Sequence, residues 1–223
     1  MVIRDWSSDV CSSDLLILIA LFLWFSAHAG VVLWLGIYLR DVLGASAGQM
    51  GLPQGIAGIS YALTAIPMGY VAHKFGRRTT IRFSLVGLFS LTGLFTVLNI
   101  VGPSIGLSGA AGLYLFLGLM FVYGIFWGSV ITNSFPMLWQ MSTFGNIGIF
   151  TGLYYTFSQT ANILAPPITG FVIDIVKAFK VPLQYQYTGI FAFACVLQIA
   201  AFLVMAKVRK GEPGDAADEA VKA

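Results

Sequence analysis

Runs of apolar residues as long as a bilayer is thick recur along nearly the whole chain, and this feature decides the fold class. Crossing ~30 Å of hydrocarbon takes ~20 residues of helix. Lipid offers no partner to a backbone N–H or C=O, so only helices and closed barrels can span it. A barrel would read as alternating segments of ~10 residues, and no such segment occurs in this sequence. Charged residues make up 9% of the chain, against ~25% in soluble domains. Its mean hydropathy is +0.86. The expected fold is an all-α polytopic membrane protein with six transmembrane helices.

Hydropathy places the spans at about 15–39, 51–72, 80–101, 112–138, 147–173 and 187–207. They are separated by the polar turn "RDVLGASAGQM", the basic "HKFGRRTTIR", the glycine-rich "NIVGPSIGLSGAAG", the polar "QMSTFGNIG" and the mixed "DIVKAFKVPLQYQ". Lys and Arg favour the cytoplasmic side. Lys74, Arg77, Arg78 and Arg82 follow the second span, and Lys207, Arg209 and Lys210 follow the sixth. Four spans lie between these basic segments, so both fall on one side, and both ends of the six-span unit are expected in the cytoplasm. The opposite side carries only Arg40, Lys177 and Lys180. Residues 15–211 are thus expected to form the six-helix bundle, with 212–223 as a disordered acidic tail. A net charge of +3 reflects loop charge and gives no reason to expect nucleic acid. Cys11 and Cys195 fit neither a disulfide framework nor a metal site. No cofactor and no metal are expected.

Two stretches resemble a known family. "GYVAHKFGRRTTI" resembles the signature loop of the major facilitator superfamily, with Gly69, Gly76, Arg77 and Arg78 in place and His73 where the family prefers Asp. A Gly at a helix end can take a left-handed cap, and arginines at the membrane edge can hold helix C-termini or acidic lipid. "WGSVITNSFPMLWQMSTFGNIGIFTGLYYTFSQTANILAPPITGFVID" resembles the tenth and eleventh spans of the sucrose-transporter-like branch. It does so through Asn133-Ser134-Phe135-Pro136-Met137, Ile147 to Tyr155, and Ala165-Pro166-Pro167. Its interhelix loop departs from the branch in carrying no charge.

The resemblance implies the second half of a twelve-helix transporter, with a missing N-terminal six-helix half as partner. It also implies a bacterial inner-membrane location. The opening bears on this. Asp5 to Leu15, "DWSSDVCSSDL", reads as one translated frame of a common short-read sequencing adapter. Residues 1–14 are therefore expected to be a non-native leader on a fragment that is inactive by itself.

In the family, the first, second, fourth and fifth spans of each half line the cavity. The polar residues here follow that division. Tyr155, Ser158, Gln159 and Asn162 recur at spacings of three and four, along one face of the fifth span. Amides donate and accept, and an aromatic ring packs on a pyranose face, so this face suits a sugar. Asn133 and Ser134 precede Pro136, where lost helix hydrogen bonding can expose carbonyls; Gln54 and Tyr61 share a face of the second span. All eight are candidate substrate contacts. Pro136, Pro166 and Pro167 are expected helix breaks or bends. The third span offers only small hydroxyls and the sixth only Gln198.

His28 is the one ionisable side chain deep in a span, and hence a candidate proton or polar relay. A neutral His bonded to a neighbouring helix is the alternative. No Asp or Glu lies deep in a span, so a coupling acid would belong to the missing half.

The expected function is proton-coupled alternating access for a small solute, with a sugar, the proton and the lipid bilayer as partners. Efflux of an amphipathic compound remains open, as does a non-transporting membrane receptor or scaffold. No H-E-x-x-H, G-x-S-x-G or paired deep carboxylates occur, so an enzyme is not expected.

Overall fold

A computed structural model describes residues 12–142 and 145–208. Of the expected leader 1–14, residues 1–11 lie outside the described residues, as do the tail 212–223 and the basic pair Arg209 and Lys210, whereas residues 12–14 already belong to the first helix. Six long helices follow one another: α1 (Ser12–Leu43), α2 (Leu52–Phe75), α3 (Arg77–Val101), α4 (Gly109–Gln140), α5 (Ile147–Ala178) and α6 (Thr188–Lys207). All six are long and apolar enough to cross a membrane. Short helical turns at Ala47–Gln49, Gly102–Ile105 and Leu183–Gln186 join some of them. α1, α4 and α5 each run 32 residues, or about 48 Å, so they tilt or project beyond the hydrocarbon.

The helices outrun the apolar segments because the polar residues at their ends are also good helix formers. The clearest case is "HKFGRRTTIR". His73 and Lys74 complete the last turn of α2, and Arg77 opens α3. The expected basic loop shrinks to one residue, Gly76, at φ +89° and ψ 144°. Positive φ is what a glycine tolerates. The extended ψ makes this a corner rather than the expected left-handed cap, while Gly76 N–H still bonds the Ala72 carbonyl.

Four prolines lie inside the long helices, Pro67 of α2 among them. α4 continues through Pro136 and α5 through Pro166 and Pro167, so the expected breaks are not interruptions. A proline removes one backbone donor and leaves the carbonyl four residues earlier without its helical partner. Beside this stretch the Trp34 indole N–H of α1 donates to the Pro166 carbonyl at 2.9 Å, tying α5 to α1.

α1, α3, α4 and α6 form the core, with Tyr38, Phe95, Phe116 and Phe191 in mutual ring contact at its centre. α2 lies along α4, and α5 along α1. Glycines bring these pairs close. A Cβ on Gly124 would fall 2.0 Å from Ser60 Oγ, and one on Gly170 would fall 2.7 Å from the Trp34 ring. In membranes such small-residue contacts replace the hydrophobic effect as the packing force. α3 and α6 are joined by Thr92 and Gln198 at 2.8 Å, and by Asn99, which donates to Thr188 Oγ1 and the Gln184 carbonyl. Arg82 of α3 donates to the Met205, Ala206 and Val208 carbonyls, capping the C-terminal end of α6. The arginines expected in such a role are Arg77 and Arg78; Arg82 follows the signature loop by one residue.

Candidate functional site: a cavity between four helices

The second and fifth helices are the least enclosed. Of their most apolar 18-residue stretches, 11% of α2 and 22% of α5 is buried, against 39–50% in the other four. Between them and the core lie two adjoining cavities. One, of about 490 Å³, is lined by Phe25, His28 and Val32 of α1, Trp127 and Ile131 of α4, and Asn162 and Pro166 of α5. The other, of about 190 Å³, is lined by His28, Gln54, Tyr61, Met120 and Trp127, among others. Every lining residue comes from α1, α2, α4 or α5. α3 and α6 contribute none, which is the division that the sequence resemblance implied.

His28 and Trp127 belong to both cavities and sit at their junction. Their rings stack at 3.7 Å between centroids and 8° between planes. Tyr123, one helical turn before Trp127, lies almost parallel to the imidazole and places its hydroxyl 3.1 Å from His28 Nδ1. Phe25, one turn before His28, meets the Trp127 ring edge-on at 5.4 Å. A spacing of three on α1 and of four on α4 puts each pair on one helical face, and the two faces meet.

The expected contacts divide into two groups. His28, Gln54, Tyr61 and Asn162 come together around the cavities. Gln54 Nε2 donates to the Val32 carbonyl at 2.7 Å, so its oxygen is the end left for a ligand. Gln159 and Tyr155 are exposed on the open side of α5, with Gln159 Oε1 3.5 Å from Asn162 Nδ2.

Ser158, Asn133 and Ser134 are buried instead. Ser158 donates to the Tyr155 carbonyl within its own helix. Asn133 donates to the Ser129 carbonyl at 2.8 Å and approaches the Met68 carbonyl of α2. Ser134 pairs with the Tyr154 hydroxyl at 3.2 Å, tying α4 to α5. These three do not line either cavity. A short polar side chain beside a close helix contact meets backbone or a neighbouring hydroxyl before it can reach open space.

At the signature corner His73 is exposed, Arg77 and Arg78 are half-buried, and Gly69 faces Thr132 of α4. All lie away from the cavities.

Sequence reasoning missed Tyr123 and Trp127. The signal was there: two aromatics four apart, facing the only deep histidine, in a helix assigned to the cavity. What it lacked was the register of α4 against α1.

A profile of the Major Facilitator Superfamily matches residues 15–222. The chain belongs to that superfamily. No curated protein matches it. Among solved structures it is similar to a bacterial homologue of the iron transporter ferroportin in two states. For the inward-facing state the TM-score is 0.68 at 15% identity, covering 89% of this chain and 45% of that one. For the outward-facing state it is 0.68 at 16% identity, covering 93% and 48%. At such identities the likeness is one of fold. The chain spans less than half the length of those two chains. Among the described residues no group of three His, Cys, Asp or Glu could hold a metal ion.

Proposed function

We propose that the chain is one six-helix half of a secondary transporter of the sucrose-transporter-like branch, carrying a sugar or related polyol across a bacterial inner membrane by proton-coupled alternating access. The observation that carries this reading is the composition of the junction. An imidazole stacked on an indole adjoins the Asn162 and Gln54 amides and the Tyr61 phenol. Amide and phenol groups meet hydroxyls, and ring faces meet the C–H face of a pyranose. The partner is a second six-helix half, docked against the open sides of α2 and α5, and it supplies the coupling acid. Residues 15–211 act as the six-helix unit, a stretch that the profile match over 15–222 covers.

One six-helix arrangement matches an inward- and an outward-facing state with equal TM-scores of 0.68. That supports movement of each half as a rigid body about the cavity, as alternating access requires.

A second reading has its own support. Most residues around the larger cavity are apolar, Phe25, Val32, Ile131 and Pro166 among them, which suits efflux of an amphipathic compound. Counterflow in proteoliposomes carrying the gene's whole product separates the two. Exchange of labelled sucrose or another sugar, abolished by a proton ionophore when uptake is run uphill, is the expected result. Exchange of a lipophilic cation with no sugar exchange overturns the sugar reading. The 223-residue chain alone should transport neither; saturable sugar uptake by it would make it a transporter that pairs with itself.

A further inference from the structure

A proline at position i has no N–H to give the carbonyl at i−4, so that oxygen loses its helical partner. The four prolines inside the long helices leave four such oxygens, those of Leu63, Thr132, Asn162 and Ile163. An unserved carbonyl is costly in hydrocarbon, where no water reaches it. What each oxygen can meet depends on where its turn of helix faces.

Leu63 and Ile163 are exposed apolar residues that line neither cavity. Thr132 lies against Gly69 of α2 and lines neither cavity either. Asn162 differs, because it and Pro166 both line the larger cavity. In a helix a carbonyl points along the axis toward the nitrogen four residues on. The Asn162 oxygen and the proline that cannot serve it therefore share the face that borders the void.

Among the described residues no side chain donates to this oxygen. The Asn162 amide is directed at Gln159 Oε1, and the Trp34 indole goes to the Pro166 carbonyl, one turn further on. The surrounding wall is poor in acceptors. Phe25, Ala29, Val32 and Ile131 are apolar, and the Trp127 indole N–H can only donate.

We propose that the Asn162 backbone carbonyl is an acceptor for a hydroxyl of the transported solute, and that Pro166 keeps it free for that bond. Water serves the oxygen while the cavity is empty, and a solute O–H takes its place. Trp34 holds α5 to α1 beside the turn that lacks its own bond, which fixes where the acceptor stands. Pro166 is thus a positioning residue. The inference deepens the sugar reading and rests on it for the ligand, whereas the freed oxygen belongs to the helix alone.

Two variants separate this role from a simple bend. Pro166→Ala returns an N–H to the Asn162 carbonyl and keeps the backbone oxygen that Trp34 bonds. It should lower the sucrose affinity of the gene's whole product in nanodiscs about three- to tenfold, the effect of one lost hydrogen bond. Its unfolding temperature should hold or rise, since a proline inside a helix is unfavourable. Pro167→Ala returns an N–H to Ile163, away from both cavities, and should leave the affinity unchanged. Equal losses in the two variants would make the prolines a bend and overturn the proposal. An unchanged affinity in Pro166→Ala overturns it as well.

A wild type that binds no sucrose defeats the sugar reading, and the oxygen is then read separately. Asn99, Asn146 and Asn162 each precede an isoleucine, so labelling Asn carbonyl carbon and Ile nitrogen picks them out. Each signal is assigned by its loss in Asn99→Gln, Asn146→Gln or Asn162→Gln. In water-edited NMR the wild-type Asn162 carbonyl should gain magnetisation from water nearly as fast as exposed Asn146, and more slowly in Pro166→Ala. A wild-type rate as slow as that of buried Asn99 means that the oxygen is sealed, which overturns the proposal whatever the solute.

Discussion

The seam between α3 and α6 and the open flank formed by α2 and α5 are made from the same kinds of residue, yet they use them in opposite ways. In the seam Thr92, Asn99, Gln198 and Thr188 bond across the helix contact, and Arg82 closes the end of α6. On the flank Gln54, Tyr155, Gln159 and Asn162 bond within their own helix or to a single carbonyl, or face outward. A polar side chain in a membrane helix must find either protein or water. Where two helices are pressed together it finds protein and fixes their register. Where a helix borders a cavity it stays available, and availability is what a binding surface needs.

That contrast can be broken at several points. The largest effect belongs to the contact that holds the flank to the core. Gly124→Val drives a side chain into Ser60 and the Ala57 backbone, where even a Cβ would lie 2.0–2.8 Å from its neighbours. We expect a loss of about 3 kcal/mol, in line with overpacked cores, read by SDS-titrated unfolding in mixed micelles. Gly148→Ala, at a glycine with nothing within 4 Å, should leave the curve in place. A neutral Gly124→Val would mean that α2 is not seated on α4 as described.

Next comes the cap on α6. Arg82→Met removes a guanidinium shared by three carbonyls, and should cost about 2 kcal/mol. Hydrogen exchange should rise first at residues 205–208. Uniform loss of protection across the bundle would contradict a local cap.

Trp34→Phe sharpens the comparison on the flank itself. It deletes the indole bond to the Pro166 carbonyl, so about 1 kcal/mol should go, and α5 should exchange faster around residue 166. Equal exchange in both proteins would show that the indole bond does not hold α5 to α1.

The smallest effect on stability is expected for the exposed amide. Gln159→Ala should change unfolding by less than about 0.5 kcal/mol, yet lower sugar exchange by the whole transporter severalfold if the flank binds solute. A stability loss comparable to that of Arg82→Met would place Gln159 with the seam and not with the cavity.

Much of this was legible beforehand, and for a definite reason. Hydrocarbon thickness and backbone satisfaction act on each segment separately, so six apolar runs became six helices without any knowledge of their neighbours. His28 stood out on the same local grounds. Asn133 and Ser134 read as equals of Asn162 because all are polar and deep, and only packing separates a residue facing Met68 or Tyr154 from one facing a void. The prolines looked like breaks because sequence records the lost donor but not the packing against neighbouring helices, such as the Trp34 bond to α5, that keeps the helix continuous.

The sequence by itself determined an all-helical membrane protein of six spans, its family, and a division between cavity helices and outer helices. The first two follow from composition, period or a local motif, and the division is what the resemblance to the family implied. Only the tertiary structure decided which polar groups are spent on holding helices together, and that His28 rests on Trp127 with the Tyr123 hydroxyl beside it. Tyr123 lies 95 positions from His28, and no local pattern records a contact that exists only after the helices have set their registers.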